Sequence, residues 1–207
     1  MNKINYKLFV YLLGGISILI WLILILIADV RTFTDILKKI PQACGYSFIV
    51  FFLFEKYLWS IKPFSLLVPY PSLHGTWKGK LNSNYVFEDG TKCDPIDVTL
   101  VIKQTMLTIS VEMFTGESSS QSYGGNIVKS HEGNLKHLLY TYYNDPRASV
   151  QHRSNTHQGT AKLRIIEKPE LGLKGNYWTE RGTTGEFDLS FYSKELFDDK
   201  VPEETTS

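Results

Sequence analysis

"VTLVIKQTMLTISVEMF", Val98 to Phe114, decides the architecture of the larger part of this 207-residue chain. From Met106 onward Leu107, Ile109, Val111 and Met113 alternate with Thr108, Ser110 and Glu112, the period of a strand with one buried face. Leu107, Ile109 and Val111 are the expected inward set. With Gly, Pro and Asn/Asp as punctuation on either side, eight candidate strands follow: 73–82, 96–104, 106–115, 120–129, 136–144, 158–168, 172–179 and 185–193. No segment among them sustains a helical period. Eight short strands joined mostly by short turns predict an up-and-down antiparallel β-barrel, with a β-sandwich as the alternative. At eight strands a barrel interior is either filled by side chains or holds one small ligand.

The first third of the chain is of another kind. Leu8 to Ala28 carries no charge over 21 residues, which as a helix spans roughly 31 Å, enough for a bilayer core. The run is too long for the core of a signal peptide, and no small-x-small cleavage site follows it. A second apolar run, Ile40 to Phe54, continues through Glu55 and Lys56 to Lys62, with Tyr57 and Trp59 of the type that sits at headgroup level, and reads as a second spanning helix, with an interfacial or re-entrant helix as the alternative. Gly14, Gly15 and Ser17 in the first helix, and Cys44, Gly45 and Ser47 in the second, are small enough for close helix packing. Two spans leave both chain ends on one side, and the lysine distribution places that side in the cytoplasm. The expected organisation is a two-helix transmembrane region over 1–62, a Pro-containing linker over 63–72, a cytoplasmic β-barrel over 73–195 and a flexible polar tail over 196–207.

Charge and cysteine content narrow the function. Residues 1–62 hold seven Lys/Arg against three Asp/Glu, while 63–207 hold fifteen against eighteen. The strand-rich part is therefore slightly acidic and lacks the footprint of a protein that binds long DNA or RNA. A small anion needs only one or two placed cations, and this part has four arginines: Arg147, Arg153, Arg164 and Arg181. Cys44 and Cys93 have no common setting, so neither a disulfide framework nor a metal spacing is indicated. His152 and His157 are five apart and in a Ser/Asn/Gln loop, without the helix face that would aim both at a metal. No nucleophile elbow, P-loop or His-Glu-x-x-His is present, so the chain reads as a non-enzyme.

Some strands depart from a simple aliphatic interior. "HLLYTYYNDPR" puts Tyr140, Tyr142 and Asn144 on one face, "SYGGNIV" places Tyr123 beside two glycines where a backbone can approach a ligand, and "GNYWTERGTT" brings Tyr177, Thr179 and Arg181 to one face with Asn176, Trp178 and Glu180 opposite. Aromatic rings stack on bases at roughly 1–3 kcal/mol each, and arginine forks onto phosphate. The plain alternative is that tyrosine and tryptophan fit any strand and that Glu180–Arg181 is a solvated turn. Trp77 in "HGTWKGKL", which is similar to the Gly-x-Trp opening strand of lipocalin-type barrels, reads as a core plug.

Two N-terminal helices, a Pro-containing linker and a β-rich domain carrying "GTWKGKL", "YTYYNDP", "HRSNTHQGTAKLRI" and "GNYWTERGTTGEFDLSF" together resemble the two-transmembrane, β-barrel effectors of bacterial CBASS anti-phage systems. The resemblance covers nearly the whole chain and is strongest in the architecture and the "GNYWTERGTTG" hairpin. It implies a barrel that binds a cyclic dinucleotide made by a cognate CD-NTase synthase, with no cofactor. It further implies a homo-oligomer whose helices disrupt the lipid of the inner membrane and arrest the infected cell. On that footing Tyr177, Thr179 and Arg181 are the expected stacking surface, hydroxyl and phosphate fork, with Tyr142 and Arg153 as further ligand-binding candidates. Two other readings remain at this level: a membrane-tethered, lipocalin-like carrier of an apolar ligand, and a module that binds only protein.

Overall fold

The computed structural model describes residues 6–28, 32–62, 64–68, 70–87, 89–130 and 135–199. It divides into two compact units, 1–69 and 70–207.

In the first unit α1 (Tyr6–Ile27) and α2 (Phe33–Leu53) are each long and apolar enough to cross a bilayer. The second helix starts earlier than its apolar run suggests. Thr32 caps it, its side chain accepting from the Asp35 N–H at 3.3 Å, and Asp35 pairs with Lys38 one turn on. The charges at 35, 38 and 39 thus belong to the first turns of α2 rather than to a connection, and helix plus a terminal π-turn (Phe54–Leu58) run for 26 residues. The expected glycine packing is not what holds the two together. A Cβ added at Gly14, Gly15 or Gly45 would meet nothing within 4 Å, and Cys44 is exposed. Ala43 and Ser47 are the buried residues of α2, and the Trp21 indole N–H donates to the Ile36 carbonyl at 3.2 Å.

The second unit is a closed antiparallel barrel in chain order, β1 (Gly75–Ser83), β2 (Ile96–Gln104), β3 (Ile109–Phe114), β4 (Ser118–Lys129), β5 (Lys136–Pro146), β6 (His157–Ile166), β7 (Gly172–Thr179) and β8 (Thr184–Ser193). Strand β8 returns to β1 from Thr76↔Ser193 to Ser83↔Gly185, which leaves no free sheet edge. This is the barrel expected, and the sandwich is excluded. Alternation aims Leu100 and Ile102, Leu138 and Tyr140, Ala161 and Leu163, and Phe187 and Leu189 into one core. Trp77 is fully buried, stacks edge-on against Phe191 at 5.3 Å and donates its indole N–H to Leu73 O at 3.0 Å. It seals the end of the barrel at which β1 begins and β8 finishes.

Two local expectations need correcting. Leu107 is not inward-facing: it sits in the β2–β3 turn, 45 % exposed, because Thr105 and Thr108 close that turn through both backbone (2.9 Å) and hydroxyls (2.9 Å). Tyr123 occupies a bulge between Ser122 and Gly124, which rotates it outward to 66 % exposure, while Gly125 is packed under Ile109 and Tyr140. Beyond β8, the Phe197 N–H donates to Thr76 Oγ1 (3.3 Å) and the Thr76 hydroxyl donates to Glu195 O (2.6 Å), tying residues 195–197 to β1. The rest of the expected tail, 200–207, lies outside the described residues.

Candidate functional site

The unsealed end of the barrel is bounded by the loop 84–95, the β3–β4 turn, the loop 147–156 and the β7–β8 turn. It encloses a cavity of about 600 Å³. Tyr142, Arg153, Tyr177, Thr179 and Arg181 all line it, so the residues proposed from the sequence, spread over two strands, a loop and a turn, come together in one place.

Each is positioned by a specific local cause. Tyr142 and Tyr177 occupy inward positions of β5 and β7, two alternations beyond Leu138 and Leu173 of the aliphatic core. Tyr142 lies against Tyr140 at 5.9 Å and Tyr177 against Phe187 at 5.5 Å. Burial is the main reason that both phenols sit above their ordinary range, Tyr142 far above it; for Tyr177 a hydrogen bond with Ser83 opposes it, and Arg181 opposes it for both. Both rings are neutral hydroxyl-bearing surfaces, not bases. Thr179 starts the β7–β8 turn. Its N–H donates to Thr183 O at 2.9 Å and the Gly182 N–H returns to Thr179 O at 3.0 Å, with Gly182 at φ +78.

That turn separates Arg181 from its neighbour Glu180. The Glu180 carboxylate accepts the Gln158 N–H at 2.9 Å on the outside of β6. Arg181 faces the cavity instead, with only long contacts to Ser154 Oγ (3.5 Å), Asn155 O (3.4 Å) and His157 Nε2 (3.5 Å). Among the described residues no carboxylate is within salt-bridge distance of it. Arg153 differs: its guanidinium is paired with the Glu117 carboxylate of the neighbouring β3–β4 turn. One arginine is therefore ready for an anion and the other already holds one.

Sequence reasoning did not find Glu117, Asn155 or His157. Glu117 and Arg153 are 36 residues apart, and the β4–β5 ladder brings their loops together, with Ser118 opposite Pro146 and the Arg147 N–H donating to the Glu117 carbonyl at 2.8 Å. His157 had a signal, since it opens the "HQGTAKLRI" alternation as an inward residue, but together with His152 it reads only as a candidate metal ligand and is set aside. Among the described residues no cluster of three His, Cys, Asp or Glu stands in metal-binding proximity. Cys93 also lines the cavity. Its thiol is pushed up first by burial and then by Asp94 and Glu117, so it is not an activated nucleophile. The chemistry on offer is recognition: two flat rings, hydroxyls and cations around a space in the range of small-ligand pockets, about 300–1,000 Å³.

Comparison with known proteins agrees with this. Residues 68–190 match the family described as Cap15, cyclic dinucleotide receptor domain. CD-NTase-associated protein 15 of Staphylococcus schleiferi is 28 % identical over 188 residues, covering 91 % of this chain and 97 % of that protein. The protein of the same name from Escherichia albertii is 28 % identical over 171 residues, covering 81 % and 84 % respectively.

Proposed function

The chain belongs to the Cap15 cyclic dinucleotide receptor family of CBASS effectors, and from that premise we propose that its barrel takes a cyclic dinucleotide in the open mouth and works by binding alone. The observation that carries the reading is the convergence of Tyr142, Tyr177, Thr179, Arg153 and Arg181 on one cavity above a filled core. A cyclic dinucleotide presents two bases and two phosphodiesters in a compact ring. The phenol rings offer it stacking faces, Thr179 a hydroxyl and Arg181 a fork whose charge is not neutralised by a carboxylate among the described residues. The apolar-carrier alternative needs an empty aliphatic lumen, and the aliphatic half of this barrel is packed with Leu100, Leu138, Leu163 and Leu189.

Ligand binding then favours association of barrels, and the paired helices, concentrated in the inner membrane with the barrel in the cytoplasm, disrupt the bilayer. The exposed aromatics Tyr143 and Trp178 on the outer wall are suited to such association. The shift toward the assembled state is limited by the ligand's difference in affinity between the two states.

The test is thermal unfolding of the detergent-solubilised full chain with a panel of cyclic di- and trinucleotides. Ligand at 100 times its dissociation constant adds about 2.7 kcal/mol, or about 5 °C in midpoint for a unit of this size. A shift with one nucleotide that is lost in Arg181→Ala supports the reading. A flat panel with folded protein overturns it.

A further inference from the structure

His157 stands where the ligand's charge should arrive, and its geometry assigns it more than a packing role. It is the first residue of β6, 9 % exposed, beside Arg181 and facing the same cavity. Its Nδ1 lies 3.0 Å from the Asn155 carbonyl oxygen. A carbonyl only accepts, so Nδ1 carries the hydrogen and Nε2 is the bare nitrogen. That bare nitrogen faces Arg181 Nη2 at 3.5 Å. An anion that binds the Arg181 fork from the cavity therefore meets a lone pair on its flank, which repels it, unless Nε2 is protonated, when it becomes a second charged donor.

We propose that His157 is the second anion-binding side chain of the mouth, sharing one phosphodiester with Arg181 and taking up a proton as that phosphate arrives. The inference rests on the cyclic dinucleotide reading above and extends it. The proton comes from solvent, no bond of the ligand breaks, and the phosphodiester stays singly anionic throughout. In the empty barrel His157 is held neutral, chiefly by burial and then by Arg181, while its bond to Asn155 and the more distant Glu180 act the other way. Among the described residues Glu180 is the only carboxylate that acts on its charge, although Asp94 and Asp97 line the same cavity. Asn144, its partner on β5, is uncharged, Tyr142 and Tyr177 are neutral phenols, and Glu117 is committed to Arg153. A bound phosphate is thus the partner that turns the balance.

The sign follows from linkage. The imidazole binds its proton more tightly in the complex than in the empty site, so complex formation takes up protons and affinity rises as pH falls. The limit for one group is about tenfold per pH unit.

The experiment is titration calorimetry of the full chain in detergent with cyclic di-AMP, cyclic di-GMP and cyclic di-UMP. It is run between about pH 6 and pH 8 in two buffers of different ionisation enthalpy. Net proton uptake is expected for whichever nucleotide binds, with affinity several-fold higher at the acid end. His157→Gln, which keeps a neutral donor near the Nε2 position, should bind with the pH slope abolished, while His152→Gln on the exposed loop should keep it. Binding without proton uptake overturns the proposal and leaves the cyclic dinucleotide reading intact. So does a pH slope that survives in folded His157→Gln. If none of the three nucleotides binds, both fall together. Should His157→Gln fail to fold, the proton count on the unaltered protein still decides.

Discussion

Gly159 lies so close beneath Tyr142 that a Cβ on the glycine would stand 2.5 Å from the ring's Cζ and from its hydroxyl oxygen. The two are register partners between β5 and β6. Tyr177 and Gly185 repeat the relationship between β7 and β8, with the added Cβ 2.6 Å from the ring. Each phenol at the mouth therefore rests against a strand that carries no side chain. This thinning of the wall lets two large rings lie back and leaves the lumen open.

Gly159→Ala is accordingly expected to push Tyr142 into the cavity and to lower stability by about 1–3 kcal/mol, the usual range for overpacking. Tyr142→Ala in the same chain should restore part of that loss, a coupling visible in a double-mutant cycle of thermal midpoints. Additive losses would show that the ring is not what the glycine accommodates.

Trp77→Ala should be the most damaging single change in the barrel, costing about 3–5 kcal/mol. It removes a fully buried indole, its stacking on Phe191 and its bond to Leu73 O. Denaturant unfolding followed by the remaining tryptophans measures it.

Arg181→Ala separates binding from folding. Its contacts are 3.4–3.5 Å long and involve no carboxylate among the described residues, so stability should change by no more than about 0.5 kcal/mol. Loss of a charged fork on phosphate should weaken cyclic dinucleotide binding by roughly 1.5–3 kcal/mol, or about 10- to 100-fold. Calorimetry at fixed salt tests this.

Glu117→Gln tests the opposite arginine. In the empty barrel Glu117 occupies Arg153 as an internal anion that a phosphate must displace. Both side chains are about half exposed, so the pair contributes at most about 1 kcal/mol. The variant should bind a cyclic dinucleotide up to about fivefold more tightly, with folding stability lowered by no more than the pair's own contribution of about 1 kcal/mol. Weaker binding would mean that Glu117 instead positions Arg153 for the ligand.

In the helical unit, Ala43→Leu should disturb the pairing of α1 with α2, because Ala43 is 3 % exposed, whereas Gly45→Leu projects into open space. If the pair is what damages the bilayer, growth arrest on co-expression with a cyclic dinucleotide synthase should be weakened by the first and retained by the second.

How far the sequence could be read follows from which interactions are local. Alternation in "LTISVEMF" and "EFDLSF" is dictated by one strand's own pleat, so strand order and the buried face were legible; the error of facing sits where a turn claims an apolar residue, as at Leu107. The start of α2 was also written locally, in Thr32 and Asp35, but the charges at 38 and 39 masked it. The site was half legible. Tyr142, Tyr177, Thr179 and Arg181 lie in strands or a turn whose facing can be counted, and the structure gathers them together with Arg153. Glu117 and Asn155 are loop residues with no period to betray them. They reach the mouth because the β4–β5 and β5–β6 ladders carry their loops to it, and nothing adjacent in the chain records that pairing.

An even number of up-and-down strands returns the chain to the end where it entered, so β1 begins and β8 finishes at the Trp77 plug. The rim of the mouth is consequently built from the connections between strands, above Tyr142, Tyr177 and His157 on the strands themselves, while β1 begins and β8 ends on the far side. Such connections can lengthen, shorten or exchange residues without disturbing the ladders or the attachment of neighbouring segments. Divergence among homologous sensors is thereby free to retune which signal is admitted, one loop at a time, while the wall is inherited unchanged.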